Sequence, residues 1–287
     1  MEVGQSPSIP SVRVEPTRAA DAGIGRLEFA WIRSRTVLQR ALATSPLKLL
    51  NPQSGRTTAW VYLATYGGGL VGGDEIDVRL QVHAGARAVI TTQGATKVYR
   101  SAKPASQRVT GHVSEDALLV VAPDPTVCFA GSTLEQTQCY RVSAGGNLVV
   151  LDWMTCGRHA MGERWAFDGY ESRLEIWRGD RRTLYDATAL TRSDGPIAER
   201  MGRFNVWGTL VMVGPLVQKN ASEVVSNTRW LPVEHRSDLI VSASLLGPDG
   251  VLLRLAGESV ERTRSTLRTH MDFLRPHLGD QVWGRKW

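Results

Sequence analysis

Most of this chain alternates between apolar and polar positions with a period of two. In "DEIDVRLQV", Ile76, Val78, Leu80 and Val82 fall on one side while Asp77, Arg79 and Gln81 fall on the other. That is the pattern of a half-buried strand. "TLEQTQCYRV" alternates in the same way, and "SAGGN" after it reads as a turn. "LVVLDW" is a continuous apolar run ending in an acid and a tryptophan, and "ALLVVAPDP" is a short one stopped by two prolines. "YESRLEIWRGDRRTLYDATAL" reads as strand, Arg-Gly-Asp turn, strand. "NVWGTLVMVG" and "DLIVSASLLGPDGVLLRLAG" add further strands, the latter two joined by a Gly-Pro-Asp-Gly turn. Turn signals every 8–12 residues predict a mainly β protein of a dozen or more short strands, built as a sandwich, a barrel or a β-helix-like stack.

The period changes to that of a helix near the C-terminus. In "GESVERTRSTLRTHMDFLRPHLG", Val260, Leu267, Met271, Leu274 and Leu278 make one apolar stripe. Ser259 is placed to cap its start, and Pro276 to disturb its last turn. A second, weaker helix is predicted near Ser222–Arg229. Residues 1–22 carry early acids and prolines and no apolar run of signal length, so a frayed, disordered tail is expected there. Residues 23–287 show no repeat and no linker, and read as one domain.

The glycines of "TYGGGLVGGDE" (residues 65–75) change the picture locally. A phosphate cradle needs a strand before the glycines, a helix after them and a closing Lys-Ser or Lys-Thr pair. None of that context is present, and the following segment is strand-like. The expected structure is a wide hairpin whose glycines supply positive φ without steric cost.

Composition narrows the class. The 287 residues can bury a large core without staples. No window approaches a membrane span. Three cysteines, Cys128, Cys139 and Cys156, lack paired spacing, which with the missing signal suggests a reducing cytoplasm. The net charge of +6 comes mostly from arginines scattered along the chain. With no basic run, this favours an acidic protein partner over nucleic acid.

Two stretches carry candidate chemistry. "ITTQGATKVYRS" (residues 90–101) ends a strand in Thr91, Thr92 and Gln93, then adds Lys97, Tyr99 and Arg100, with no nucleophile beside a base. "LDWMTCGRHAMGERW" (residues 151–165) holds Asp152, Cys156, His159 and Glu163, which would share a face if the stretch were helical. Gly157 and Gly162 argue against a stable helix. Carboxylate, imidazole and thiolate together suit a borderline ion such as nickel or zinc, but the spacing matches no zinc motif. A metal-dependent hydrolase using Asp152, His159 and Glu163 stays open on these residues. No Gly-x-Ser-x-Gly elbow is present.

Taken in order, "GGGLVGGD", "TTQGATKVYRS", "PDPTVCFAGSTLEQ" and "LDWMTCGRHAMGERWAF" resemble the urease accessory protein family UreD, called UreH in some bacteria. The resemblance runs from about the first strand to the C-terminal "GRKW". It implies an all-β, β-helix-like body that is not an enzyme but a scaffold in urease maturation. It implies contact with apo-urease on one side and with the accessory proteins UreF and UreG on the other, and transient passage of nickel with no tightly bound cofactor. A path for Ni²⁺ needs weak, hydrated, acidic walls from which the ion can leave. On that basis Asp74, Asp152 and Glu163 are expected to face the metal, and Arg158 to pair with one of them. Thr91, Thr92, Gln93, Lys97, Tyr99 and Arg100 are expected on the tunnel wall or a partner surface. Cys156 and His159 depart from the small or polar residues expected of the family at those positions.

Overall fold

A computed structural model describes residues 22–52, 57–229 and 236–284. Residues 1–21, which make up nearly all of the expected tail, and the end of "GRKW" lie outside the described residues. The strands in chain order are β1 (Gly23–Ile32), β2 (Arg35–Ala43), β3 (Leu47–Leu50), β4 (Ala59–Thr65), β5 (Gly69–Leu70), β6 (Glu75–Val82), β7 (Arg87–Thr92), β8 (Thr96–Val98) and β9 (Ala105–Val113). They continue with β10 (Leu118–Val121), β11 (Thr126–Cys128), β12 (Thr133–Val142), β13 (Asn147–Thr155), β14 (Gly169–Arg178) and β15 (Arg181–Thr191). Helix α1 (Ile197–Met201), β16 (Val206–Val213), α2 (Gln218–Arg229), β17 (Leu239–Leu245), β18 (Gly250–Gly257), α3 (Val260–Met271) and α4 (Arg275–Leu278) complete the described elements.

The strands form two facing sheets. The first runs β15-β14-β12-β9-β6-β1-β2, and the second runs β17-β18-β16-β13-β10-β7-β4-β3. From β4 to β14 the chain moves back and forth between them: β6 to β7, β9 to β10 and β12 to β13 each leave the first sheet for the second. Neighbouring coils therefore pair in parallel, β6 with β9, β9 with β12, β7 with β10 and β10 with β13. This is a β-helix-like stack, one of the three architectures the alternation left open and the one the resemblance implied. The hairpins β14–β15 and β17–β18 close it with antiparallel pairs across the two turns read from the sequence.

One apolar cluster fills the space between the sheets, from Leu27, Val78 and Leu119 to Val150, Met154 and Val211. A second lies outside the second sheet, where Val149, Leu151 and Trp153 meet Leu267, Met271, Leu274 and Leu278 of the C-terminal helices. Strand β13 is covered on both faces, which is why "LVVLDW" lacks alternation.

Ser259 caps α3, its side chain accepting from the Arg262 amide. Val260 corrects the predicted stripe: it is 38% exposed. It opens the first turn, before the helix meets the sheet, and the buried row is Thr263, Leu267 and Met271. Thr263 fits there because its hydroxyl donates to the Ser259 carbonyl. The helix stops at Met271, and Pro276 sits in the first turn of α4, where its missing N–H costs nothing.

The glycine segment is not a hairpin. β4 belongs to the second sheet and β6 to the first, so residues 66–74 carry the chain from one sheet to the other. The apolar run of β4 and the alternation of β6 mark both strands but do not say which sheet each joins.

Candidate functional site

Three connections and one strand end meet at the same end of the body. β5 from the glycine segment pairs with β8 of "ATKVYRS", β8 pairs with β11 of "PTVCF", and β11 pairs with the last residues of β13. The four motifs quoted above are thus neighbours in space. Gly67, Gly68 and Gly73 have φ of 81°, 73° and 86°, the left-handed region glycine enters freely. Asp74 closes this turn. Its carboxylate accepts from the Val71 amide at 2.8 Å, and its own amide donates to the Val71 carbonyl.

Below the glycines lies a cavity of about 310 Å³ lined by Leu47, Leu70, Ile76, Thr92, Gln93 and Lys97, among others. Thr91 donates to the Ala122 carbonyl, and Thr92 accepts from the Asp124 amide. Tyr99 packs edge-on against Phe129, and Arg100 lies against Gly131.

After β13 the chain turns through Gly157 and a short 3-10 turn at His159–Met161, not a long helix. Arg158 grips Glu163 in a two-pronged ion pair and lies 4.3 Å over the Phe129 ring. That hydrogen bonding holds the Glu163 carboxyl below the usual range, and the carboxyl also accepts from the Ala130 amide. The expected pairing of Arg158 with one of the acids is present, and its partner is Glu163. His159 lies on the exposed turn. Cys156 is buried and its thiol is pushed up by burial, and Cys128 is pushed up to about 12 for the same reason. Both stay protonated at neutral pH, so a metal would have to displace a proton to use either.

Asp152 stands apart from this loop. It points into the space between the sheets, where its carboxylate accepts from Ser172 Oγ at 2.7 Å, Gln136 Nε2 at 2.9 Å and Tyr170 OH at 3.2 Å. A cavity of about 10 Å³, close to the room one water needs, is lined by Asp152, Tyr170, Ser172, Asp186, Thr188 and Thr209. Asp186 is bound by Arg254 at 2.7 Å. Next to these, Tyr140 donates to Gln138 on the same inner face of β12. The interior is therefore polar at this end and apolar elsewhere.

Burial raises the Asp152 carboxyl above its ordinary value, its three donors oppose that rise, and the charge of Asp186 adds to it. A group raised in this way contributes stability that is complete below the ordinary aspartate value of about 3.9 and is lost as pH rises through the raised value. Asp152→Asn, which does not titrate, is expected to gain melting temperature relative to the parent as pH goes from 4 to 8. Thermal unfolding of both proteins with chelator present checks this, and a pH-independent difference would contradict it.

Asp74, Asp152 and Glu163 are thus not gathered. Asp74 ties the glycine turn, Glu163 ties the Arg158 loop, and Asp152 faces the interior. Among the described residues no group of three or more His, Cys, Asp or Glu side chains is placed to hold a metal ion. A hydrolase centre of Asp152, His159 and Glu163 is accordingly not assembled. Sequence reading missed Gln136, Gln138, Ser172, Asp186 and Arg254. The signal was present: Gln136 and Gln138 occupy the apolar side of an alternating strand between Leu134 and Tyr140, where an unexplained polar residue is costly.

The profile of the UreD urease accessory protein family matches residues 21–287. A urease accessory protein UreD from Sorangium cellulosum (strain So ce56) is 47% identical over 270 residues, covering 94% of this chain and 86% of that protein. One from Anaeromyxobacter sp. (strain Fw109-5) is 36% identical over 287 residues, covering 99% and 96%. The urease accessory protein D of Arabidopsis thaliana is 33% identical over 286 residues, covering 89% and 97%. Among the described residues no helix is long and apolar enough to cross a membrane.

Proposed function

The chain belongs to the UreD urease accessory protein family and takes part in urease maturation, and on that premise we propose that it is the scaffold through which nickel reaches apo-urease in the cytoplasm. In this reading it bridges apo-urease and the UreF and UreG accessory proteins, and Ni²⁺ passes through the space between its sheets. It binds the ion only in transit and catalyses no reaction itself.

The observation that carries this reading is Asp152: an inward carboxylate among hydroxyl and amide groups, in a cavity between the two sheets whose other acid, Asp186, is paired with Arg254. A cation there exchanges waters for Ser172, Thr188, Thr209 and Tyr170 oxygens, so part of its hydration is replaced. A single carboxylate with neutral oxygen donors binds a divalent ion weakly enough to release it, whereas thiolates or several imidazoles would retain it. The protonated cysteines nearby fit that requirement. Asp74 and Glu163 serve the path indirectly, by fixing the glycine turn and the Arg158 loop at one end of the body. Gln93, Lys97 and Arg100 are exposed at that end and are assigned to a partner surface.

The test is co-expression of the full chain with the urease subunits and with UreF and UreG of one operon. The expected result is a complex recovered by pull-down on any member, and urease whose nickel content falls to background when this chain is omitted. Nickel-loaded urease without it, or no complex with either partner, would reject the reading.

A further inference from the structure

The Asp186–Arg254 ion pair has a placement that suggests a role beyond packing. Asp186 lines the interior cavity beside Asp152, and its side chain is only 15% exposed. Arg254 holds it at 2.7 Å, and its own side chain is 39% exposed, so the guanidinium stands between the cavity wall and solvent. The strand register puts it there. Asp152 pairs with Thr209, and Thr209 pairs with Arg254, so the three stand in one row across the second sheet. Facing them, Asp186 pairs with Leu174 on the hairpin that closes the first sheet.

We propose that Arg254 is a charge latch on this cavity: its guanidinium occupies the cation position at Asp186, so a divalent cation gains both carboxylates only after Arg254 swings away. The proposal rests on the reading that the cation passes Asp152, and it adds a control on when it can do so. With the latch closed, Asp186 is neutralised and the positive guanidinium repels a second cation close to Asp152. With it open, two carboxylates face one small space, and the ion is held more firmly. Arg254 is a positioning residue in this scheme and need not touch the ion. Its long side chain and partial exposure let it leave Asp186 without moving the sheet.

The experiment uses the full-length chain and Ni²⁺ alone. Ni²⁺ is a paramagnetic quencher, and Trp207 lines the cavity, so the quenching lost in a Trp207→Phe background reports the ion at this place. Arg254→Met keeps the apolar stem and removes the charge. Its half-quenching Ni²⁺ concentration is expected to fall about tenfold, within the usual range of site-to-site coupling. Arg254→Lys restores a positive charge and is expected to stay close to the parent. The double variant Arg254→Met with Asp186→Asn leaves no unpaired carboxylate there and is expected to lose the gain. A parental half-point for Arg254→Met, or an Arg254→Lys as sensitive as Arg254→Met, would overturn the latch. Urease activation by an Asp152→Ala chain tests the transit reading separately. Normal activation there with a sensitised Arg254→Met removes transit and leaves Arg254 as a control on cation binding at this cavity alone, and the opposite pattern removes the latch and leaves transit.

Discussion

Gly72→Ala is expected to lower stability by about 3 kcal/mol, the upper end of overpacking costs. A methyl group at this position would stand 1.8 Å from Ser101 Oγ, 2.2 Å from Ser101 Cβ and 2.4 Å from the Lys103 carbonyl oxygen. The Ser101 hydroxyl can rotate away, but the backbone carbonyl cannot, so the glycine connection must move off the β8–β9 connection it packs on. At about 2–4 °C per kcal/mol for a chain near this size, the melting temperature should drop by roughly 6–12 °C. Two companion variants separate the causes. Gly68→Ala has nothing within 4 Å but a φ of 73°, so it is expected to cost only the left-handed strain of about 1–2 kcal/mol. Gly94→Ala has open space and no positive φ, and should stay within about 0.5 kcal/mol of the parent. Equal melting points for Gly72→Ala and Gly94→Ala would show that close approach is not what this glycine is for.

That series also resolves why the segment is so rich in glycine. Some of its glycines meet a demand on φ and others a demand on space, and both follow from its path. A connection between two stacked sheets must turn sharply and then lie flat on its neighbours. Gly69 shows the second demand again, since a Cβ there would meet the Lys97 carbonyl and the Tyr99 ring at 2.6 Å. Composition announced a special backbone, but the hairpin expectation failed because strand partners are decided by long-range pairing, which a local pattern does not encode.

The same limit explains what was and was not legible in the site. β12, β13 and the two closing hairpins were readable because period, turn residues and apolar runs are local properties. The α3 cap at Ser259 was readable for the same reason. The pairing of Arg158 with an acid was readable because Glu163 lies five residues away on the same loop. The surroundings of Asp152 were not, because Gln136, Tyr170, Ser172 and Asp186 reach it from three other strands. Acids that look equivalent in sequence therefore separate in space. Asp74 and Glu163 each satisfy a neighbouring backbone amide, while Asp152 is solvated by side chains from distant strands. The helical grouping of Asp152, Cys156, His159 and Glu163 dissolves because β13 continues to Thr155 and puts Asp152 inside, well before the loop that carries the others.

Asp152→Ala is expected to reduce urease activation in cells by at least about tenfold while the complex with apo-urease and the accessory partners assembles in normal amounts. The size follows from charge. A carboxylate about 4 Å from a unit charge is worth about 4 kcal/mol at an effective dielectric of 20, and about 1.4 kcal/mol already corresponds to tenfold. Assembly should survive because the side chain points between the sheets, away from any surface a partner could reach. Stability must be separated from transit, since alanine leaves the Ser172, Gln136 and Tyr170 donors without their acceptor, at about 1–3 kcal/mol. Asp152→Asn makes that separation: it removes the charge and keeps one acceptor oxygen, and its new amide N–H groups can donate to the rotatable Ser172 or Tyr170 hydroxyl. Lost activation in both variants, with an asparagine form that melts no lower than the parent at pH 7, identifies the charge as the working element. Asp74→Ala makes the contrast, because its carboxylate holds the Val71 amide. Its effect on activation should come with a lower melting temperature, as a consequence of a loosened glycine turn. If Asp152→Asn activates urease as well as the parent does, no cation uses this carboxylate on its way, and the polar interior is structural.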